Sequence, residues 1–167
     1  GFVGSRLVKA LLAKGHPVRS FGRQPQPELL ELGVDVLCGD LRNEKDVMKA
    51  VDGVDAIFHT AAIAGMWGPR DLYQGINVDG TRHLLKHGQR TGVREFIFTS
   101  SPSVVFDGQD HLNIDESQPY PREWLCHYPR TKAEAEALVL GENGWGGVDG
   151  ETGMTTISLR PHLIIGS

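Results

Sequence analysis

The feature that most constrains the fold of this chain is the alternation of short apolar segments with longer amphipathic ones. Five segments have the length and composition of strands, at 18–21, 34–38, 54–58, 95–99 and 155–159. Segments with helical periodicity precede or separate them, at 5–15, 27–32, 44–51, 71–91 and 129–140. Because a crossover helix between two strands makes them run parallel, this order predicts an α/β fold with a doubly wound parallel sheet.

Individual residues refine the predicted helices. Asn43 suits the N-cap of the helix at 44–51, with Asp46 as the acidic member of a capping box. Gly75 and Gly80 predict weak turns inside the long helix that follows. Loops rich in Gly, Pro, Asp and Ser are expected at 102–124 and 141–153.

Length and charge restrict the functions open to the chain. Its 167 residues suit one domain spanning 1–167, and its net charge of −4 is spread without a basic stripe for nucleic acid. No apolar run approaches the ~20 residues of a membrane span, and Cys38 and Cys126 lack a Cys-x-x-Cys spacing. We therefore expect a cytoplasmic protein with reduced thiols that binds small molecules. A homodimer is compatible with the sequence, which does not fix the oligomeric state.

The chain begins at a glycine-rich helix entrance, Gly1-Phe2-Val3-Gly4. Glycines at a strand-to-helix turn let the backbone approach a pyrophosphate, and the helix N-terminus offers free N–H groups to it. Within a βαβ pattern this favours a dinucleotide site, although close packing of a helix on a strand also uses glycine. No strand and no Met precede Gly1, so we expect the sequence to be a piece of a longer protein.

The end of the next strand predicts which dinucleotide is bound. An acidic residue there would bind the ribose hydroxyls of NAD, whereas an arginine would pair with the 2′-phosphate of NADP. The sequence has Arg23 and no acidic residue, which favours NADP(H) over NAD(H), unless Arg23 is simply a solvated loop residue. Asp40, after the following strand, is a candidate acceptor for the adenine amino group or a residue of a surface turn.

Tyr128 and Lys132 are the strongest candidates for chemistry. Four residues apart on a predicted helix, they lie on one face about one turn from each other. A tyrosine is a poor acid or base near neutral pH until a nearby cation stabilises its phenolate, and Lys132 is placed to do so. The same spacing also occurs by chance on amphipathic helices.

Taken together, these motifs resemble the extended short-chain dehydrogenase/reductase superfamily over the whole chain. The matching stretches are Gly1–Gly4, Gly39-Asp40-Leu41, His59-Thr60-Ala61-Ala62, Asn77-Val78-Asp79-Gly80-Thr81, Phe98-Thr99-Ser100-Ser101, Tyr128 with Lys132, and Leu159-Arg160-Pro161. The stretches 61–68 and 99–106 look most like the 3β-hydroxysteroid dehydrogenase branch, which includes sterol-4-carboxylate 3-dehydrogenases and 2-alkyl-3-oxoalkanoate reductases.

The resemblance implies a Rossmann-type sheet that lacks a strand here. In this family another strand precedes Gly1 and lies mid-sheet, so we expect a gap between the strands at 18–21 and 54–58. Such a gap exposes unpaired backbone groups, and we expect this stretch not to fold natively alone. The family's smaller substrate-closing domain would follow Ser167.

The resemblance also assigns expected roles. Tyr128 would be the general acid/base, Lys132 would stabilise its phenolate and hold the nicotinamide ribose, and Ser101 would hydrogen-bond the substrate oxygen. Asn77 would support a water relay or the local backbone. The residues expected to bind cofactor are Gly1, Phe2, Val3, Gly4, Arg23, Asp40, Leu41, Ala61, Ala62, Tyr128, Lys132 and Pro161, and those expected to contact substrate are Met66 and Trp67.

Several of these residues also have a purely structural explanation. Ser101 would also serve as a cap at a strand end, Pro161 as a turn, and Met66 and Trp67 as side chains buried under a loop. His83 and His87 share a helix face, but no third ligand is evident and we expect no metal site.

We therefore expect an NAD(P)-dependent oxidoreductase acting on a hydroxyl or keto group of a bulky apolar substrate, of 3-hydroxysteroid or 3-oxoalkanoate type. Two alternatives stay open: a nucleotide-sugar epimerase or dehydratase with tightly bound NAD, and a non-catalytic dinucleotide sensor. Arg23 and the loop at 66–67 argue against the first, and the complete set of Ser101, Tyr128 and Lys132 argues against the second.

Overall fold

A computed structural model describes residues 1–144 and 153–165 and confirms the alternation of helices and strands. In chain order the elements are α1 (Phe2–Ala13), β1 (Arg19–Gly22), α2 (Pro27–Glu31), β2 (Asp35–Cys38), α3 (Glu44–Val51), β3 (Ala56–His59), α4 (Arg70–Tyr73), a π-helical segment (Gln74–Asp79), α5 (Gly80–Thr91), β4 (Glu95–Thr99), a 3-10 helix (Pro102–Val105), α6 (His127–Gly141) and β5 (Thr155–Leu159). Most of the predicted glycine-rich excursion lies outside the described residues.

The strands form two parallel sheets rather than one. β1 pairs with β2, from Arg19 opposite Asp35 to Gly22 opposite Cys38. The other sheet has the order β3-β4-β5, with both pairs parallel. Among the described residues β1 and β3 do not pair, which is where the gap was expected. The parallel strands and their crossover helices confirm the α/β fold of Rossmann type.

The main core lies around β4. Phe96 and Phe98 alternate along this strand and are almost completely buried. They belong to one apolar cluster with side chains from α3, α5 and α6, among them Val47, Leu84 and Val139. Replacing either phenylalanine with alanine would cost about 3–5 kcal/mol, so this core fixes the position of α6 beside β4.

The expected weak turns correspond to a π-helical segment. Gln74–Asp79 separates α4 from α5, contains Gly75 and ends directly before Gly80, the two glycines that predicted the irregularity. Gly80 is required for packing, because a Cβ there would lie 2.8 Å from Leu41 Cβ. Such segments are rare and often occur at functional sites.

The capping prediction for α3 is only half right. Asn43 caps the helix, accepting from the Lys45 backbone N–H at 3.0 Å. The Asp46 carboxylate does not complete the box, because it accepts from the Asp40 backbone N–H at 3.2 Å instead. It thereby ties the end of β2 to α3. In the described part of the chain, every helix is too short or too polar to cross a membrane.

Candidate active site

Lys132 reaches from α6 to the carboxyl end of β4. Its Nζ donates to the Thr99 carbonyl oxygen at 2.6 Å and lies 3.9 Å from the centroid of the Phe98 ring. The side chain is almost fully buried. Burial lowers the pKa of Lys132 to about 7, and the Glu136 carboxylate acts in the opposite direction. This ammonium is therefore held in place and is near its titration point at neutral pH.

Tyr128 precedes Lys132 by one turn of α6 and is half-buried. Its hydroxyl makes no hydrogen bond with any other residue in the described ranges 1–144 and 153–165. Its backbone carbonyl instead accepts from Thr131 Oγ1 at 3.1 Å. The structure thus leaves a tyrosine hydroxyl available on the helix that carries the buried ammonium.

Ser101 lies at the same end of β4 as the carbonyl that binds Lys132. Its Oγ is 2.8 Å from Ser103 Oγ and accepts the Ser103 backbone N–H at 3.2 Å. The capping role expected as the alternative is therefore present, since Ser101 is the N-cap of the 3-10 helix. The hydroxyl is only half-buried, so capping leaves it accessible to a ligand.

Asn77 lies in the π-helical segment and fixes the loop after β3. Its Oδ1 accepts from the Ile63 backbone N–H at 2.8 Å, and its Nδ2 donates to the Ile63 carbonyl at 3.1 Å. The same Nδ2 donates to Thr131 Oγ1 at 3.0 Å. Of the two roles expected for Asn77, support of the local backbone is the one its contacts fit. It joins the β3 loop to α6 between Tyr128 and Lys132.

The glycine entrance forms the N-terminus of α1. Gly1 is the N-cap, and its carbonyl accepts from both the backbone N–H and the hydroxyl of Ser5 at 3.0 Å. A Cβ at Gly4 would lie 3.4 Å from Thr60 Oγ1, so the helix passes close to the end of β3. Phe2 and Val3 lie in the first turn, with the guanidinium of Arg6 stacked 5.4 Å from the Phe2 ring centroid.

The loop following β3 lies beside the N-terminus of α1. Ala61 and Ala62 are exposed there, next to the α1 N-terminus that Thr60 contacts. Pro161 is half-buried after β5, directly following Arg160. Six of the expected cofactor residues thus follow the carboxyl ends of strands in the two sheets, where ligands bind in open α/β folds, namely Arg23, Asp40, Leu41, Ala61, Ala62 and Pro161.

Of the two residues expected to contact the adenosine half of a dinucleotide, Arg23 is exposed and Asp40 is half-buried. Arg23 lies just after β1, and its charge reaches the Asp40 carboxylate after β2. Asp40 is held chiefly by Arg42, whose Nη2 is 2.6 Å from its Oδ2, and this contact lowers the pKa of Asp40 to about 2. The Arg42 backbone N–H also donates to Asp40 Oδ1 at 2.9 Å. Asp40 therefore forms the surface turn that was expected as the alternative to adenine binding. Leu41 packs against the core, and its carbonyl contacts His83 Nδ1 at 2.9 Å.

Met66 and Trp67 are not buried under a loop, because their side chains are 67% and 90% exposed. They form one wall of an open cavity of about 560 Å³. The other lining residues are Gly68, Arg70, Glu123, Trp124, Leu125, Cys126, His127 and Arg130. The buried Tyr73 holds this loop, since its hydroxyl contacts the carbonyls of Gly65 and Trp67 at 3.0 and 3.1 Å. The cavity reaches His127, the residue before Tyr128.

Sequence reasoning missed the buried carboxylate of Glu136. This residue lies one turn beyond Lys132 and binds Tyr120, Ser158 and Arg160. Its spacing of four from Lys132 and eight from Tyr128 was a usable signal, because three polar residues at helical spacing would share one face. Its partners come from distant segments, and no local pattern indicated them.

The two histidines of α5 have separate partners. His83 Nδ1 contacts the Leu41 carbonyl, and His87 Nε2 lies 2.8 Å from Glu44 Oε1. Across the described ranges, no group of three or more His, Cys, Asp or Glu side chains is arranged to hold a metal ion.

Comparison with known proteins confirms the resemblance. Residues 1–167 match the 3-beta hydroxysteroid dehydrogenase/isomerase family. The chain is 44% identical over 173 residues to a 3-beta-hydroxysteroid dehydrogenase of Mycolicibacterium neoaurum, covering 99% of this chain and 46% of that protein. It is 39% identical over 166 residues to a 2-alkyl-3-oxoalkanoate reductase of Shewanella oneidensis, covering 99% and 43%. The chain therefore spans about half the length of the curated relatives it matches.

Solved structures agree on the fold. A short-chain dehydrogenase/reductase superfamily protein from Agrobacterium tumefaciens with bound NAD aligns with a TM-score of 0.79 and 32% identity, over 96% of this chain and 46% of that one. MoeE5 in complex with UDP-glucose and NAD aligns with a TM-score of 0.77 and 28% identity, over 96% and 50%. The architecture predicted from the alternation of strands and helices is thus shared with proteins whose structures contain a nicotinamide dinucleotide.

Proposed function

The chain belongs to the 3-beta hydroxysteroid dehydrogenase/isomerase family, and on that premise we propose that it forms the dinucleotide-binding and proton-transferring part of an NAD(P)-dependent oxidoreductase. The observation that carries the proposal is the buried Lys132 ammonium on the same helix as the free Tyr128 hydroxyl. Burying an ammonium is costly, and a strongly shifted pKa with a specific structural cause marks a candidate functional residue.

The residues present fit a dinucleotide. The α1 N-terminus has no acidic residue in its first turn, and Gly4 allows a close approach to the end of β3. Free N–H groups and the positive end of the helix dipole there favour a pyrophosphate. We assign Gly1, Phe2, Val3 and Gly4 to the pyrophosphate. Ala61, Ala62, Lys132 and Pro161 are assigned to the nicotinamide half.

When bound, the nicotinamide would supply or accept the hydride. Tyr128 would give a proton to the substrate oxygen during reduction, or take it during oxidation. The Lys132 ammonium favours the phenolate of Tyr128 by charge attraction. Ser101 would hydrogen-bond the same substrate oxygen, and Asn77 would hold the β3 loop against α6.

We propose NADP(H) as the preferred cofactor because of Arg23. Its exposed guanidinium follows β1, where a 2′-phosphate would be placed, and the position has no competing acidic residue. Its weak electrostatic coupling to Asp40 leaves it available, since Asp40 is held mainly by Arg42. NAD bound in the Agrobacterium structure belongs to that protein and does not decide the preference here.

The substrate proposal is a bulky apolar molecule with a hydroxyl or keto group. The 560 Å³ cavity is large enough for such a molecule, and Met66, Trp67 and Trp124 give it apolar walls. Relatives named for 3-beta-hydroxysteroid and 2-alkyl-3-oxoalkanoate substrates support this class.

The test is hydride transfer by the full-length protein, followed by nicotinamide absorbance with NADPH or NADP and with 3-hydroxysteroids and 2-alkyl-3-oxoalkanoates as separate substrate sets. We expect turnover with one of the two sets. Turnover with neither set, from folded protein that binds NADPH, would contradict the oxidoreductase proposal and favour a sensor.

A nucleotide-sugar activity is the second candidate, because MoeE5 was solved with UDP-glucose and NAD at 28% identity. Such enzymes keep their cofactor through the cycle. Stoichiometric NAD retained through purification would favour this candidate, whereas exchangeable NADP(H) would favour the oxidoreductase.

A further inference from the structure

Glu136 is a fully buried carboxylate that the proposed proton transfer does not use. It accepts hydrogen bonds from Tyr120 Oη at 2.8 Å, from Ser158 Oγ at 2.8 Å and from Arg160 Nη2 at 2.6 Å. Arg160 Nε adds contacts of 3.1 and 3.2 Å to the two oxygens. Burial acts to raise the pKa of Glu136, but Arg160 and the other donors outweigh it and lower the pKa. The carboxylate is therefore ionised inside the protein.

The partners of Glu136 come from separate parts of the candidate site. Tyr120 belongs to the loop before α6, and its ring lies 6.5 Å from that of Trp124, which lines the cavity. Ser158 is on β5. Arg160 directly precedes Pro161, which we assign to the nicotinamide. The Glu136 carboxylate thus connects α6 with the cavity wall at Trp124 and with the segment around Pro161.

Lys132, a second buried cation, lies one turn before Glu136 on α6. Its Nζ has two contacts that favour the ammonium, the Phe98 ring and the Thr99 carbonyl, while burial acts against the charge. The buried His59 is on β3. Burial and the charge of Lys132 lower the pKa of His59 to about 3, so His59 is neutral. Tyr128 lies one turn before Lys132 on α6, and Tyr120 and Arg160 contact the Glu136 carboxylate.

We propose that Glu136 is a positioning residue of the active site, which keeps the Lys132 side chain in its ammonium form and holds the Trp124 and Pro161 walls around it. The expected effect of Glu136 on turnover rests on the proposed function. Its expected effect on the charge of Lys132 is independent of that function and can be measured without any substrate.

Charge balance links the three groups. Lys132 and Arg160 are two cations, one almost fully buried and one largely so, and Glu136 is the buried carboxylate that binds Arg160 and lies one turn from Lys132. If Glu136 becomes neutral, one cation becomes unfavourable. A guanidinium keeps its proton throughout the accessible pH range, so Lys132 is the group that loses its proton. Glu136→Gln is therefore expected to lower the pKa of Lys132.

The experiment is an NMR titration of the full-length protein labelled with ¹³C at lysine Cε, with the Lys132 signal assigned by its absence in Lys132→Met. We expect Glu136→Gln to lower the midpoint of Lys132 by about one pH unit or more, as for loss of a nearby opposite charge. Glu136→Asp retains the charge and is expected to stay near the wild-type midpoint. Ser158→Ala removes one neutral hydrogen bond, and no shift is expected. Equal midpoints in wild type and folded Glu136→Gln would overturn the proposal.

A second variant protects the test against misfolding of Glu136→Gln, which leaves Arg160 without its partner. The double variant Glu136→Gln/Arg160→Met removes both charges of the pair and leaves neither an orphaned guanidinium nor an orphaned carboxylate. We expect a lower Lys132 midpoint in this double variant than in wild type. The same midpoint in both would refute the role of Glu136.

Turnover separates the two proposals. If the full-length protein transfers hydride, the alkaline limb of its pH–rate profile should move to lower pH in Glu136→Gln and stay in place in Ser158→Ala. Absence of hydride transfer in wild type would count against the proposed function, while the NMR midpoints would still decide the role of Glu136. Turnover with unshifted midpoints would leave the function standing and reject the positioning role.

Discussion

The two sheets of the molecule organise polar groups in opposite ways. Around β3, β4 and β5, Lys132, Glu136 and Asn77 are buried and each is fixed by hydrogen bonds between separate elements. Around β1 and β2, Arg23 is exposed. The ion pair of Asp40 and Arg42, whose side chains are 25% and 50% exposed, joins residues only two positions apart in the sequence. Buried groups fixed from several sides cannot move to accommodate a change, whereas exposed ones can. Substitutions should therefore be severe in the first region and selective in the second.

The largest effect is expected for Lys132→Met. This change keeps an apolar stem in place and removes the ammonium, so turnover should fall by about 100-fold or more, as for loss of proton-transfer assistance. Lys9→Met, on the exposed surface of α1, is the matched control and should retain wild-type rates. Comparable rates in the two variants, measured at saturating cofactor, would show that the buried ammonium does no chemical work.

Replacing Asn77 should give the largest loss of stability in this set. Asn77→Ala removes three hydrogen bonds and leaves the N–H and carbonyl of the half-buried Ile63 without this partner, for a loss of about 3 kcal/mol of unfolding free energy. Asn77→Asp would place a buried carboxylate oxygen against the Ile63 carbonyl, so its loss should be at least as large. Urea denaturation measures both values. An alanine variant as stable as wild type would mean that the β3 loop is not held to α6 as described.

The pH dependence of stability should reveal the buried ammonium. The pKa of Lys132 is lowered from 10.5 to about 7 in the folded protein, so between these values the unfolded chain binds more protons. Unfolding free energy should therefore rise as pH increases from about 7 toward 10.5, and the contribution should be absent from Lys132→Met. Identical slopes in wild type and Lys132→Met, from denaturant midpoints at several pH values, would place the lysine in water.

The smallest effect is expected at the exposed edge of β1. Arg23→Ala should weaken NADPH binding by about tenfold, the loss of one charge-assisted contact, and leave NADH binding unchanged. Titration of each cofactor by fluorescence measures this difference. Equal weakening of both cofactors, or tighter binding of NADH than NADPH to wild type, would remove Arg23 as the selecting residue.

The fold was readable from the sequence because it depends on local periodicity. Helix α3 and strands β4 and β5 begin and end where predicted, and the irregularity near Gly75 and Gly80 appears as a π-helical segment. Strand β3 begins at Ala56, two residues later than predicted, since apolar composition does not mark where pairing starts. The expected gap between β1 and β3 also appears.

The site was only partly readable, because its buried polar contacts are long-range. Tyr128 and Lys132 share a helix and were found from their spacing. Glu136 shares that spacing, but its partners Tyr120 and Arg160 are 16 and 24 residues away. The Tyr73 hydroxyl binds the backbone carbonyl of the exposed Trp67, a contact that no local pattern predicts. A sequence pattern does not show which distant donor will hydrogen-bond to a buried acceptor.

The most direct test of the central claim is the rate of hydride transfer in Tyr128→Phe, measured in the full-length protein under single-turnover conditions with a substrate that wild type converts. Phenylalanine keeps the ring and removes the proton. We predict a rate at least about 100-fold below wild type, with cofactor affinity within about twofold, because the hydroxyl is used in proton transfer and contributes little to binding. A Tyr128→Phe protein that reacts at the wild-type rate would contradict the account.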